Sequence, residues 1–242
     1  MKKGSVIIVG TGPGLGSSLA RKFAKEGHHV FVARRERNAA ALDELCDEIK
    51  NNGGNATAIA TDARDEDQVI NLFSKVSEHG QIDCVIFNIG ANVFFPIKDT
   101  TARVFKKVWE MATFAGFLTG KEAAKYMLKN KKGTIIFTGA TASMRGSSGF
   151  SAFASAKFGL RAVAQSMARE LGPKGIHVAH TVIDGAIDHP WIKENFPDIY
   201  KLKKKDGILK PDEIAQVYLD LHNQKKSVWT HEIDLRPYME KF

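Results

Sequence analysis

Residues 5–16 read SVIIVGTGPGLG, and no other stretch restricts the fold so sharply. Val6-Ile7-Ile8-Val9 is an apolar, β-branched run with the length and composition of a strand buried on both faces. It ends in glycines at 10, 12, 14 and 16, and from Ser17 the spacing of Leu19, Ala20, Phe23 and Ala24 turns helical. A buried strand, a glycine turn and a helix start together make a phosphate site. Glycines let the backbone approach the ligand, and the free N–H groups of the first helical turn point at the anion. A ligandless glycine turn in a βα unit is the plainer alternative. The position of the motif at the head of an alternating βα chain favours a nucleotide.

Beyond that motif, 242 residues suit one well-filled α/β domain spanning 1–242, and no linker, repeat or low-complexity tract divides them. The formal net charge of +8 fits anionic cofactors and substrates as well as a polyanion. The lysine clusters lack the interleaved aromatic residues of single-strand binders, so nucleic acid is disfavoured as a partner. Cys46 and Cys84 form neither a metal spacing nor a disulfide framework, which suits a reducing compartment. Met1-Lys2-Lys3 before an apolar run is superficially like a signal peptide, but about five apolar residues fall short of the ~7–15 of an h-region. No stretch reaches the ~20 apolar residues of a membrane span. The expectation is a soluble, cytoplasmic protein with no metal and no membrane partner.

Strands are expected at 29–33, 57–61, 82–87, 133–138, 176–183 and 227–235, separated by helical patterns at 38–52, 65–79, 101–130, 150–171 and from Pro211. The 101–130 pattern carries a potential break near Gly116. This alternation implies a doubly wound Rossmann-type domain: seven parallel strands, helices on both faces, and loops gathered along one crevice. Arg34 and Arg35 follow the second strand, where an acidic residue would accept bonds from an adenosine ribose. Their planar forks suit a 2′-phosphate, so NADP(H) is expected over NAD(H), with Glu36 nearby keeping NAD(H) open. The polar, lysine-rich stretch 186–210 is too irregular for core and is placed as a substrate lid, where Trp191, Phe196 and Tyr200 offer an apolar wall.

Gly10-x-x-x-Gly14-x-Gly16, the Asn88-Ile89-Gly90-Ala91 turn and the register Phe153-Ala154-Ser155-Ala156-Lys157 together resemble the short-chain dehydrogenase/reductase family, from Gly10 to the closing strand. The resemblance implies a dinucleotide held by Gly10, Gly12, Gly14, Leu15 and Gly16, by Arg34 and Arg35, by Asp62 and Ala63, and by Asn88, Gly90, Lys157 and Gly185. Asp62 stands where the family contacts the adenine amino group, with a helix cap before 65–79 as its other role. The resemblance also implies a homodimer or homotetramer built through helices near 113–130 and 150–171.

The family's diagnostic helix motif is Tyr-x-x-x-Lys, and this chain keeps Lys157 while carrying Phe153 in the tyrosine position. Ala140 stands where the family has serine, and Thr113 falls near its helix asparagine. Hydride delivered to a carbonyl leaves an alkoxide that needs a proton donor and hydrogen bonds, and a benzyl ring supplies neither. Thr141 is a candidate to orient the carbonyl. Asp184, at the end of a central strand, is a candidate acid facing the crevice, with an Asx-type turn as the plainer reading. Ser143, Ser151, Ser155, His180 and His189 are further candidates. The implied function is hydride transfer between a nicotinamide cofactor and a small carbonyl or alcohol at a non-standard site. The alternative is a cofactor-binding sensor or interaction module with little turnover.

Overall fold

The computed structural model describes residues 3–241. Strand β1 (Ser5–Val9) is buried at every residue, and its side chains alternate between two apolar cores. Val6 and Ile8 face one; Ile7 and Val9 face the other. This is what a near-continuous β-branched run does when helices cover both faces of a sheet. The chain continues through α1 (Leu15–Lys25), β2 (His29–Arg34), α2 (Ala39–Asn51), β3 (Asn55–Ala60), α3 (Glu66–Ser77) and β4 (Ile82–Phe87). After a long loop come α4 (Ala102–Trp109), α5 (Ala115–Asn130), β5 (Gly133–Thr138), α6 (Ser151–Leu171) and β6 (Ile176–Ile183). Two short helices, α7 (Pro190–Asn195) and α8 (Pro197–Lys201), precede α9 (Pro211–Asn223) and β7 (Glu232–Leu235).

The seven strands are all parallel, in the order β3-β2-β1-β4-β5-β6-β7. Helices α1, α2 and α9 bury Leu19, Phe23, Leu42, Ile49 and Tyr218 on one face. Helices α3, α5 and α6 bury Phe73, Leu118 and Leu160 on the other. Each such large side chain withdrawn from water contributes ~1.5–3 kcal/mol. The chain runs outward from β1 in both directions, so the loops after β1 and β4 diverge and leave a crevice between them.

Several boundaries differ from the sequence expectation. The 101–130 pattern does not break at Gly116. Instead a π-helical turn at Glu110–Phe114 joins α4 to α5 without interruption, and Thr113 in that turn donates to the Ala156 carbonyl at 2.7 Å. Gly116 serves packing: a Cβ there would lie 2.3 Å from Leu160 Cδ1. The last strand is shorter than 227–235, because a 3₁₀ turn at Lys226–Val228 precedes it. Asp65 caps α3 by accepting from the Gln68 N–H, a role foreseen as open to Asp62.

Behind β5 and β6, the buried Tyr218 hydroxyl is hydrogen-bonded to Thr138 Oγ1 at 2.9 Å and to Thr181 Oγ1, fastening α9 to the sheet. Tyr218→Phe leaves two buried hydroxyls short of a partner, at ~1–3 kcal/mol. Urea unfolding should show that loss with an unchanged m-value; equal midpoints for variant and wild type would refute the fastening role.

Candidate active site

The crevice at the carboxyl edge is a cleft of about 740 Å³. Its floor is the glycine loop. Gly10 has φ +95°, a conformation side chains disfavour, and a Cβ there would lie 2.7 Å from the Asn88 carbonyl oxygen. A Cβ on Gly16 would lie 2.7 Å from Thr11 Cα, so this glycine lets α1 pack against the loop. Gly12 and Gly90 instead border open space. Gly14 precedes α1 with no side-chain cap, and with the Ser17 and Ser18 N–H groups donating to Gly12 O and Gly14 O, those of Leu15 and Gly16 are left to an anion. Asn88 ties the two sides together, its backbone N–H donating to Val9 O at 2.7 Å and its side-chain amide to Gly10 O at 3.3 Å. Leu15, Ala63 and Gly185 also line the cleft.

At one end stand Arg34, Arg35 and Arg64 with Asp62. Arg64 grips Asp62 through Nε at 2.9 Å and Nη2 at 2.5 Å, and those bonds hold the carboxyl below its usual range. Burial first, then the neighbouring Arg37 and Arg64, pushes the Arg35 guanidinium down. Sequence reading missed Arg64. The reason lies in sheet register and not in local sequence: Arg34 pairs with Ala60, so a basic residue just beyond β3 joins the Arg34–Arg35 edge.

At the other end, α6 presents Phe153 and Lys157 one helical turn apart, both lining the cleft. The Lys157 ammonium is buried. It donates to Ile89 O at 3.1 Å and Thr138 O at 2.9 Å, and burial pushes its pKa down to about 8. Its Nζ lies 6.0 Å from the centroid of the Phe153 ring. Phe153 fills the wall with Phe150 and Met111, and Ala140 and Thr141 face it. Thr113, bonded to Ala156, is absent from the lining.

Two expected roles change. Asp184 does not face the crevice: Ile183 and Gly185 line it, while the carboxylate between them is buried. It accepts from Thr141 Oγ1 at 2.5 Å and pairs with Arg236 at 3.3 Å and Arg145 at 3.6 Å, so it is an anchor and makes no Asx-type turn. Thr141's one proton is thereby committed to Asp184, so its oxygen can accept from an alcohol but cannot donate to a carbonyl. Nor do the three serines singled out from the sequence supply a donor. Ser143 Oγ accepts from the Ala140 N–H, Ser155 donates to Ala152 O, and Ser151 Oγ is buried without a partner; none of them lines the cleft.

His180 also lies outside the cleft. Burial pushes its pKa down to about 4, so the ring is neutral and its Nδ1–H donates to Glu232 Oε2 at 2.9 Å. His189 does border the cleft, and a Cβ on Gly14 would lie 2.8 Å from its ring. It caps α7 by accepting from the Trp191 N–H at 3.0 Å. The stretch 186–210 is thus more ordered than its composition suggests, folded into α7, α8 and a 3₁₀ turn. Trp191, Phe196 and Tyr200 do not form the cleft wall; that part falls to Met111, Phe150 and Phe153.

Residues 4–198 match the family model described as short chain dehydrogenase. A short-chain dehydrogenase/reductase of Armillaria gallica is 33% identical over 71% of this chain and 67% of its own. A versicolorin reductase of Emericella nidulans is 32% identical over 75% and 68% respectively. The crystal structure of a short-chain dehydrogenase from Rhodopseudomonas palustris is 49% identical, covers 97% of this chain and 99% of its own, and superposes with a TM-score of 0.84. A metagenomic short-chain oxidoreductase solved with NADP shares the fold at 23% identity, with 98% of each chain covered and a TM-score of 0.82.

Burial of Lys157 has a pH signature. Its pKa is about 8 folded against 10.5 unfolded, so between those values the unfolded chain holds a proton that the folded protein has shed. Stability therefore rises with pH across that window, by about 3 kcal/mol if nothing offsets it. Urea midpoints measured across the window should climb for wild type and lose that component in Lys157→Met. Parallel profiles would show that the lysine is not desolvated.

Proposed function

The chain belongs to the short-chain dehydrogenase family, and from that premise we propose an NADP(H)-dependent oxidoreductase that moves hydride between nicotinamide and a small carbonyl or alcohol without the family's usual phenol. The observation that carries this reading is the polarity of the cleft, which has three arginines at one end and a buried lysine beside an aromatic wall at the other. The open space beside Gly12 and Gly90 and the uncapped start of α1 fit a pyrophosphate and its riboses. Arg34, Arg35 and Arg64 hold a 2′-phosphate, which favours NADP(H) over NAD(H). Asn88 and Gly90 keep the loop after β4 close to the ribose.

When bound, the nicotinamide nucleotide supplies or accepts the hydride. The proton is the chain's task. A guanidinium does not release its proton in proteins, so Arg145 is not the donor. Lys157, brought to about 8, is the group at this end able to give a proton near neutral pH. Its two carbonyl acceptors aim the ammonium, and Thr141 accepts from the O–H of the alcohol form. Phe153, Phe150 and Met111 keep water from the reacting face.

We treat 1–242 as one dinucleotide-binding unit with 186–210 as its lid, His189 resting on the glycine loop. Exposed Trp109, Phe117 and Phe158 on α4–α6 support assembly as a homodimer or homotetramer. The buried free thiols Cys46 and Cys84 support a reducing, cytoplasmic setting. Among the described residues no helix is long and apolar enough to cross a membrane, and no group of three or more His, Cys, Asp or Glu could hold a metal. Phe153 itself favours the second reading, a nucleotide-binding sensor with little turnover, because it carries no proton.

Calorimetry tests the cofactor. NADPH should bind more tightly than NADH, and Arg34→Ala with Arg35→Ala should narrow the gap about tenfold or more, as lost charge-assisted bonds require; equal affinities would exclude the arginine-phosphate reading. Phe153→Tyr tests the chemistry. Turnover on a panel of aldehydes and ketones should rise ~10²-fold or more, while wild-type turnover falls as pH rises through about 8. A folded, NADPH-binding Phe153→Tyr protein with no gain, and a wild type inert at every pH, would favour the sensor.

A further inference from the structure

We propose that the substrate carries a carboxylate next to its reacting carbonyl, and that Arg145 is the receptor for it. The proposal rests on the oxidoreductase reading above and narrows its substrate class.

Charge in the cleft is lopsided. Among the described lining residues the cations are Arg34, Arg35, Arg64, Arg145 and Lys157, and the one carboxylate is Asp62, already held by Arg64. The first three stand at the ends of β2 and β3, remote in sheet order from the β5–α6 side. A phosphorylated nucleotide uses them. Lys157 donates to two backbone carbonyls. That leaves Arg145, in the loop between β5 and α6, facing the substrate end with no anion of its own in hydrogen-bonding range.

Its nearest carboxylate is Asp184, and the distance of 3.6 Å is too long for a hydrogen bond. Asp184 has nearer partners, the Thr141 hydroxyl at 2.5 Å and Arg236 at 3.3 Å, the latter shared with Asp234. Arg145 lines the cleft with 44% of its side chain exposed, so its guanidinium is open to a further anion. A fork of this kind takes a carboxylate by two parallel bonds, matching one positive charge with one negative.

The geometry also places the anion. Thr141 Oγ1 and Arg145 Nη2 converge on the same oxygen, Asp184 Oδ1. The receptor therefore stands beside the hydroxyl that meets the reacting group, so the carboxylate sits close to the carbonyl carbon, as in an α-keto acid. The apolar wall of Phe150 and Phe153 lowers the local dielectric, which strengthens the pair relative to one in open water.

Phenylglyoxylate and its methyl ester form the test, since the ester removes the charge at the relevant position at the expense of one added methyl group. Each is titrated into the NADPH-saturated protein, read by nicotinamide fluorescence, and then followed by loss of NADPH absorbance. Phenylglyoxylate should bind at least about tenfold more tightly than the ester, the factor one charge-assisted bond supports. Arg145→Met should bring it down to the ester's affinity, and Arg145→Lys should recover only part. Equal affinity of acid and ester in the wild type, binding of neither, or a preference that survives Arg145→Met overturns the proposal. NADPH affinity is measured first. Should NADPH fail to bind, the cofactor reading fails separately, and calorimetry of the same pair on the free protein still decides the anion preference.

Discussion

A sheet of parallel strands covered by helices on both faces has few places where unpaired backbone groups can meet a ligand. The carboxyl edge is one, and here it opens where β1 and β4 send the chain in opposite directions. Every feature of the cleft follows from that constraint. The glycine loop after β1 brings its N–H groups to the opening, the turn after β4 supplies Asn88 and Gly90, and the loop after β5 supplies Ala140, Thr141 and Arg145. Helix α6 then has one register in which Lys157 can reach the carbonyls of Ile89 and Thr138, bridging the ends of β4 and β5.

The surroundings hold that lysine in place at an energetic cost. Thr113, in the widened turn between α4 and α5, bonds the carbonyl of Ala156 immediately before it. Tyr218 secures Thr138 from the opposite side of the sheet. A desolvated ammonium is an unfavourable thing to fold around, and its partial relief by two carbonyls leaves the group more acidic than lysine in water. The same environment that would sharpen a neighbouring phenol thus acts on the lysine itself. Phe153, one turn before the lysine, contributes an apolar ring to the cleft wall.

Electrostatics divides the cleft into two halves. Burial and neighbouring arginines lower the Arg35 guanidinium at the β2–β3 end, whereas at the β5–α6 end the buried Asp184 pairs with the partly exposed Arg236. Asp184 illustrates how a residue at a strand's carboxyl end can be adjacent to the chemistry and yet turned away from it. Strand alternation sends neighbouring side chains to opposite sides, and Ile183 and Gly185 line the cleft while the carboxylate between them does not.

The strand–glycine–helix unit, the βα alternation, the Arg34–Arg35 edge and the Phe153–Lys157 spacing were all legible in the chain, because each depends on local periodicity or on residues a few positions apart. Arg64 joining Arg35, Thr141 and Arg145 meeting Asp184, and Arg236 reaching back from beyond β7 were not, because each is a contact between segments that only sheet register brings together. The same holds for residues 186–210: their composition gives no helical period, and their order comes from packing, as in the bridge from Ile187 to Leu209 and the rest of His189 on Gly14. Local sequence therefore determined which elements form and where the glycine-lined cleft opens. Which polar groups remain available there was decided by tertiary structure, since a donor's availability depends on every partner that folding brings within reach.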